Sequence, residues 1–233
     1  MNSDLTVLDN PVAESLLAAH AHLARRAGQA ATYLPGVATF CALPTEPGPA
    51  DWADLARLLG HGGFADMFSN TALPPADWEP VFELEGRQML WRGGHPTGEP
   101  RPADGVSLVE LGPDDVPEML DLVERAEPGP FGTRTRELGT YLGIRARGTL
   151  VAMAGERLRP PGWTEISAVC TAPEARGQGH AARLVSALVA RILSGGEQPF
   201  LHVAEANAGA IALYERLGFK TRAAVTFRGF RTP

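Results

Sequence analysis

One segment, residues 166–185, constrains the fold of this chain more than any other. It begins with ISAVCT, a mainly apolar run that predicts a buried strand ending at Thr171. A turn containing Pro173 follows, and the segment Arg176–Ala181, RGQGHA, then leads into a helix that begins near Gly179. The sequence therefore predicts a strand, a glycine-containing loop and a helix in immediate succession, an arrangement typical of folds that combine a sheet with helices.

The loop over residues 176–181 has the composition of an anion-binding site. Glycines let the backbone approach a ligand closely and turn its N–H groups toward that ligand. The first turn of the following helix adds four N–H groups without intrahelical partners and a partial positive charge. Because the chain carries a net charge of −6, local geometry and not the bulk field must hold an anion. We expect a diphosphate here; the alternative is a helix entry whose glycines are incidental.

Hydrophobic periodicity extends the pattern over the rest of the chain. Before residue 92 it predicts a helix over 11–26 with Asn10 as N-cap, two short strands within 30–42, a helix over 51–59 and a strand over 79–91. After residue 105 it predicts strands over 106–111, 139–145, 149–157, 163–171, 199–204 and 219–230, and helices over 113–124, 179–193 and 207–217. This order predicts an α/β (α+β) mixed sheet with helices packed on it.

A change in composition over residues 92–104, RGGHPTGEPRPAD, predicts a linker, because three glycines and three prolines fall within it. We therefore divide the chain into an N-terminal α/β domain, residues 1–104, and a second domain, residues 105–233, that carries the loop described above. No catalytic pattern occurs in residues 1–104, so we interpret this half as structural or substrate-shaping.

Charge, hydropathy and cysteine content argue against several classes of function. Lys and Arg number 21 against 27 Asp and Glu, so no basic footprint for nucleic acid is present. No apolar run reaches the roughly 18 residues of a membrane span, and the first residues lack the basic region of a signal peptide. Cys41 and Cys170 are too few for a disulfide framework or a cysteine-based zinc site. We expect a cytoplasmic protein, a monomer or homodimer, with no metal and with neither a nucleic-acid nor a membrane partner.

A second motif, Asn207–Phe219, follows the predicted strand FLHVA with the sequence NAGAIALYERLGF. Arg176-x-x-Gly179-x-Ala181 matches the Q/R-x-x-G-x-G/A signature of the GNAT superfamily of acyl-CoA-dependent N-acetyltransferases, and the second motif resembles another block of that superfamily. The resemblance covers residues 106–230 and is closest to the C-terminal part of glycine N-acyltransferases. It implies a GNAT fold for the C-terminal half and suggests a degenerate GNAT-like copy for residues 1–104, which carry neither motif.

The resemblance also implies acetyl-CoA as co-substrate. The backbone of Val169 and Thr171 would pair with the pantetheine arm like an added strand, the N–H groups of the loop would hold the pyrophosphate, and Asn207 would contact the pantetheine or order the strand ends. The cofactor-binding residues that it implies are Val169, Thr171, Arg176, Gly177, Gln178, Gly179, His180, Ala181 and Asn207.

The activity implied by the resemblance is transfer of an acetyl group to a primary amine of a small molecule or amino acid by direct attack. Tyr214 matches the tyrosine that protonates the leaving thiolate. An alkyl amine is protonated at neutral pH, so a carboxylate, or a water held by one, must take a proton before attack. Glu165 is the first candidate, because strand alternation places it on one face with Val169 and Thr171. Glu156 on the neighbouring strand and a water are the alternatives.

Three alternatives stay open at the level of the sequence. An acyl-CoA-binding sensor or regulatory module would keep the fold without turnover, and a protein N-terminal or lysine acetyltransferase would need an open groove. Cys170 lies beside the expected cofactor strand, so a covalent acyl-cysteine is an option, although a buried small hydrophobe is the simpler interpretation. His202 would either face the acceptor or be a paired structural histidine.

Overall fold

The computed structural model describes residues 4–68, 70–93, 105–126 and 128–233. Within these ranges the α-helices are α1 (Pro11–Leu17), α2 (Pro49–Leu59), α3 (Val116–Ala126), α4 (His180–Ser194) and α5 (Ala208–Arg216). The strands are β1 (Ala24–Ala27), β2 (Ala30–Tyr33), β3 (Cys41–Ala42), β4 (Phe64–Phe68), β5 (Glu79–Trp91), β6 (Val106–Glu110), β7 (Tyr141–Ala146), β8 (Thr149–Glu156), β9 (Trp163–Thr171), β10 (Gln198–Ala204) and β11 (Phe219–Arg231).

One large sheet draws strands from both halves of the sequence. Its order is β4-β11-β5-β10-β9-β8-β7-β6, and its neighbours are antiparallel except for the parallel pair β9 and β10. The second sheet, β1-β2-β3, meets the large one through a bridge between Phe40 and Asp66. The predicted mixed sheet is confirmed. The sequence did not predict that β5 would lie between β10 and β11.

The predicted linker lies largely in residues 94–104, outside the described residues. The division of the chain at residue 104 therefore stays a prediction. The described strands on either side of it hydrogen-bond to one another, because β5 pairs with both β10 and β11.

The two faces of the large sheet pack against different parts of the chain. On β10, Leu201 and Val203 belong to the apolar cluster beneath α3, α4 and α5, whereas Phe200 packs with α1 and the residues around it. The same alternation separates Met89 from Leu90 on β5. Because successive side chains of a strand point to opposite faces, both faces of these central strands are buried, and their backbones are held in a fixed register.

The helix predicted over 11–26 is wrong in its second half. Helix α1 ends at Leu17, and the chain then forms a short 3-10 turn and β1, which pairs with β2 over four residues. Sheet pairing and burial here prevail over helix propensity. Asn10 does not cap α1 with its side chain, because its Nδ2 donates to the Leu43 carbonyl at 2.9 Å. No helix of the described ranges is long and apolar enough to cross a membrane.

Candidate active site

Strands β9 and β10 separate and open a cavity between them. They pair only where residues 163–165 meet residues 198–200, although β9 continues to Thr171 and β10 to Ala204. A cavity of about 580 Å³ lies at this opening, with residues 166–171 along one side and residues 202–204 along the other. Splayed parallel strands leave backbone groups without ladder partners, so an extended ligand can occupy the gap between them.

A β-bulge in β9 shapes the cavity wall. The register between β8 and β9 shifts by one residue between Ser167 and Cys170. Within the shift Ala168 has φ 51, a left-handed conformation that costs a non-glycine residue about 1 kcal/mol or more. Strict alternation is therefore interrupted between Glu165 and Thr171, so alternation alone does not place the two residues on one face.

The loop before α4 has the backbone of an anion site. Gly177 and Gly179 have φ 77 and 78, and open space surrounds the position of an added Cβ at both, so conformation and not crowding requires glycine. The first helical hydrogen bond runs from the Arg183 N–H to the Gly179 carbonyl at 3.1 Å. The amides before Arg183 have no intrahelical acceptor, and Arg176 and Ala181 at the ends of the loop line the cavity. This set of donors fits a diphosphate.

Among the other loop residues, Gln178 and His180 lie between Arg176 and Ala181 in the chain without lining the cavity. His180 is the first residue of α4 and is buried. Burial, together with the nearby Arg183 charge, lowers its pKa below the ordinary value. His180 is therefore neutral at physiological pH, and its contribution to an anion site would come from its backbone N–H.

Helix α5 presents two predicted site residues to the same cavity. Asn207 lines it and caps the helix, with its Oδ1 accepting from the Ala210 N–H at 3.1 Å. Tyr214, two turns further along, also lines the cavity and is 7% exposed. Burial raises the pKa of Tyr214 to about 12, so its hydroxyl keeps its proton at neutral pH and can donate it. We call residues 166–181 together with Asn207 and Tyr214 the donor wall.

Glu165 lies behind the cavity in a closed network. Its two oxygens accept from Arg157 Nε at 2.8 Å and Nη2 at 2.7 Å, and Oε2 also accepts from the Leu158 N–H at 3.2 Å. His202 Nδ1 lies 2.7 Å from Oε1. Burial alone would raise the pKa of Glu165, but the Arg157 guanidinium and these hydrogen bonds hold it well below the usual range. A carboxylate with this set of donors is a weak base.

The catalytic role expected for Glu165 stays a prediction, and this geometry favours a structural role. Because the His202 ring also contacts Gln88 Nε2 at 3.1 Å through its Nε2, both ring nitrogens are engaged. Burial lowers the pKa of His202, so the ring is neutral, with Nδ1 donating to Glu165 and Nε2 accepting from Gln88.

Glu156 and Cys170, which the sequence also offered for the chemistry, differ in whether they line the cavity. Glu156 does not line the cavity, and its Oε2 accepts from the Thr140 N–H at 3.0 Å. Cys170 lines the cavity, but burial raises the pKa of its thiol to about 12. Since the thiolate is the nucleophilic form, this environment disfavours a covalent acyl-cysteine.

The opposite end of the cavity is formed by residues that sequence reasoning missed. Strand β4 places Asp66 and Phe68 there, β11 contributes Phe227, and Phe40 and Arg157 come from connecting segments. We call these five residues the acceptor wall. The one feature of the sequence that could have indicated this part of the site is the acidic residue Asp66 inside the otherwise apolar segment FADMF. In the structure its neighbours Ala65 and Met67 are fully buried.

Asp66 is 3% exposed, and its Oδ2 accepts from the Thr39 hydroxyl at 2.8 Å. Burial raises its pKa to about 6, although the Thr39 hydrogen bond and the Arg157 charge lower it in part. Within the described ranges no three His, Cys, Asp or Glu side chains group as a metal site. The cavity thus brings together backbone donors, a protonated tyrosine and a buried carboxyl whose pKa is raised to about 6.

Comparison with known proteins identifies the family to which this fold belongs. A family model described as "FR47-like protein" matches residues 141–228. The solved structure of a GNAT-family protein from Novosphingobium aromaticivorans DSM 12444 is 38% identical, covers 97% of this chain and 98% of that chain, and has a TM-score of 0.86. The chain belongs to the GNAT superfamily, and the predicted GNAT fold is confirmed.

A more distant structure has the same fold. A GCN5-related N-acetyltransferase from Kribbella flavida is 18% identical, covers 95% of this chain and 94% of that chain, and has a TM-score of 0.64. No curated protein matches the chain at a comparable level of significance. Membership of the GNAT superfamily supports acyl transfer in general terms.

Proposed function

We propose that this protein transfers an acetyl group from acetyl-CoA to the primary amine of a small molecule or amino acid. The observation that carries the proposal is the single cavity that joins the donor wall to a buried carboxyl. Superfamily membership supports acyl transfer; acetyl as the transferred group and an amine as its acceptor belong to the proposal.

The donor wall supplies the contacts for acetyl-CoA. The amides of residues 176–181 would hold the diphosphate, and the backbone of Val169 and Thr171 would pair with the pantetheine arm in the gap beside β10. Because the Asn207 Oδ1 already caps α5, a contact from that residue to the pantetheine would come from Nδ2. When bound, acetyl-CoA supplies a thioester, which is the acyl donor.

The residues of the chain then move protons around a direct attack. Tyr214 holds its proton at neutral pH and is assigned the protonation of the departing thiolate. The bulge at Ala168 lies at the same wall, where a free backbone N–H would stabilise the oxyanion that forms on attack. The proton of the incoming ammonium needs a separate acceptor.

The test is turnover with a panel of acceptors. The protein is incubated with acetyl-CoA and each of a set of primary amines, amino acids and lysine-containing peptides, and free thiol and acetylated product are measured. Acetylated small amines support the proposal. Tight binding of acetyl-CoA with no product from any acceptor would instead support a sensor, and product from peptides alone would support a protein acetyltransferase. The predicted location and oligomeric state stay predictions.

A further inference from the structure

We propose that Asp66 binds the ammonium group of the acceptor and takes its proton, and that the acceptor is an amine on an aromatic or other apolar body without a carboxylate. This inference rests on the proposed function, because it names the acceptor class and the base of the same cavity. It assigns a role in the chemistry to a residue of the N-terminal half, where the sequence motifs are absent.

The position of Asp66 is fixed by the sheet. Strand β4 pairs with β11, with Asp66 opposite Gly229, and the bridge to Phe40 holds the strand from its other side. Among the described residues, Oδ2 receives a hydrogen bond from Thr39 and Oδ1 receives none. Because Asp66 also lines the cavity, Oδ1 is the oxygen available to an ammonium N–H.

The charges that surround Asp66 favour a cation. Arg157 is the charged neighbour that faces it, and both Nε and Nη2 of Arg157 already donate to Glu165. Cys41 on β3 is neutral because burial raises its pKa to about 12, and His202 on β10 is neutral as described above. The Arg157 charge is thus paired, and Asp66 is the acceptor-wall carboxyl that a cationic ligand can neutralise.

The rings around Asp66 select the body of the acceptor. Phe68 stacks on Phe227 with ring centroids 4.7 Å apart and lies 4.7 Å from Phe40. Phe82 and Leu84 continue this apolar lining and are 40% and 43% exposed. A carboxylate on the acceptor would meet an Arg157 charge that Glu165 already neutralises, whereas an apolar body would bury against the rings.

The proton balance of the step is simple. One ammonium proton passes to Asp66, and the free amine attacks the thioester carbonyl, so that a C–N bond forms and the C–S bond breaks. Tyr214 gives its proton to the thiolate and regains one from the nitrogen, which loses it as the amide forms. Asp66 releases its proton to solvent. The sum is ammonium plus thioester giving amide, thiol and one proton.

The experiment compares Asp66→Asn with the wild type and with a matched control, Glu205→Gln, which removes an exposed acid from a surface ion pair. Phenethylamine is the probe, phenylalanine tests a carboxylate on the same body, and ethanolamine tests a small polar body. Binding to the protein with coenzyme A present is measured by calorimetry, and kcat/KM is measured from pH 5 to 9.

We expect Asp66→Asn to weaken phenethylamine binding at least tenfold and to lower kcat/KM about 100-fold. In the wild type kcat/KM should fall below about pH 6 as Asp66 is protonated, and the variant should lack this fall. Glu205→Gln should leave phenethylamine binding, kcat/KM and the pH dependence of kcat/KM unchanged. Thr39→Val removes a hydrogen bond that lowers the pKa of Asp66. The fall of kcat/KM at low pH should therefore move to higher pH in this variant, which a merely structural role of Asp66 would not produce. Preference for phenethylamine over phenylalanine and ethanolamine completes the expected result.

The outcomes separate the two proposals. If the wild type acetylates amines but Asp66→Asn keeps its binding and pH profile, the role of Asp66 is overturned and the transferase function stands. If no amine is acetylated but binding depends on Asp66, the transferase function falls and the ammonium site stands. A preference for phenylalanine overturns the acceptor class, and absence of both binding and turnover overturns both proposals.

Discussion

The two ends of the cavity are built by different means. The donor wall is mainly backbone, with positive-φ glycines, the amides before Arg183 and a bulge at Ala168, and only Asn207 and Tyr214 add functional side chains. The acceptor wall uses side chains, namely a carboxyl, a paired guanidinium and three phenylalanine rings. A backbone site tolerates most substitutions except at its glycines, whereas a side-chain site changes its ligand with each substitution. On the proposed function, the donor wall would set the type of chemistry and the acceptor wall would set the substrate.

The largest effect should come from breaking the buried ion pair of the acceptor wall. Arg157→Gln leaves the fully buried Glu165 carboxylate without its partner, so we expect the free energy of unfolding at pH 7 to fall by about 3–5 kcal/mol. Denaturant titration measures it. The matched control is Arg87→Gln, which removes a bidentate but exposed pair with Glu205 and should cost far less, because solvent screens exposed ion pairs. Equal losses for the two variants would contradict the prediction.

The Arg157–Glu165 pair also predicts how the free energy of unfolding changes with pH. Because the pKa of Glu165 is lowered in the folded protein, its stabilising contribution is fully present above its ordinary value of 4.5. That contribution is lost as pH falls from there toward about 2. In denaturant titrations between pH 3 and 7, the difference in free energy of unfolding between the wild type and Arg157→Gln should therefore narrow toward the acidic end.

The contribution of Asp66 to the free energy of unfolding should change with pH in the opposite direction to that of Glu165. Its folded pKa is raised from 3.8 to about 6, so the native state binds more protons than the unfolded state between those values, and the wild type loses stability as pH rises through them. Asp66→Asn removes this cost, so we expect it to be more stable than the wild type at pH 8 by up to roughly 3 kcal/mol, and by little at pH 4. Thermal unfolding at the two pH values measures the difference. A variant less stable at pH 8 would show that the charge is stabilised by contacts beyond Thr39 and Arg157.

Tyr214→Phe tests the chemical role of the donor wall. The substitution removes a hydroxyl and keeps the ring in its core, so we expect kcat to fall about 100-fold while the Kd for acetyl-CoA stays within twofold. Steady-state kinetics and calorimetry measure the two quantities. An unchanged kcat would remove Tyr214 from the proton transfers.

The smallest effect concerns the backbone itself. Gly179→Ala places a Cβ on a residue with φ 78, which displaces the amides that precede α4, and we expect the Kd for coenzyme A to rise about tenfold. Gly196→Ala is the control, because Gly196 lies just beyond the other end of the same helix with φ 81 and open space around it. Both variants carry the same strain, and calorimetry should show weaker binding for Gly179→Ala alone.

The contrast between the donor wall and the acceptor wall also explains how much of the fold and the site the sequence could predict. Strands β9 and β11 and helix α4 begin and end within one or two residues of their predicted bounds, because their apolar periods and flanking glycines are local signals. The donor wall was found for the same reason, since its donors are consecutive in the chain. The domain division and the catalytic roles are predictions that the fold alone does not decide.

The acceptor wall could not be found in this way. Strand β4 was not predicted, and Asp66 reaches the cavity only because β4 pairs with β11, far along the chain. The base expected at Glu165 rested on strict alternation, which the bulge interrupts. The Arg157 guanidinium that engages its carboxylate is a partner that no local pattern reveals. Long-range pairing and side-chain networks are the parts of a site that spacing in one sequence does not encode.

The insertion of β5 between β10 and β11 also sets an order of events during synthesis. Residues 79–91 leave the ribosome long before either neighbour exists, so the middle of the sheet cannot form until residues 219–231 have emerged. Such long sequence separations slow folding and leave the apolar end of β5, Met89–Trp91, uncovered in the meantime. The pairing of β5 with β10 and β11 should therefore be a late step in the folding of this sheet.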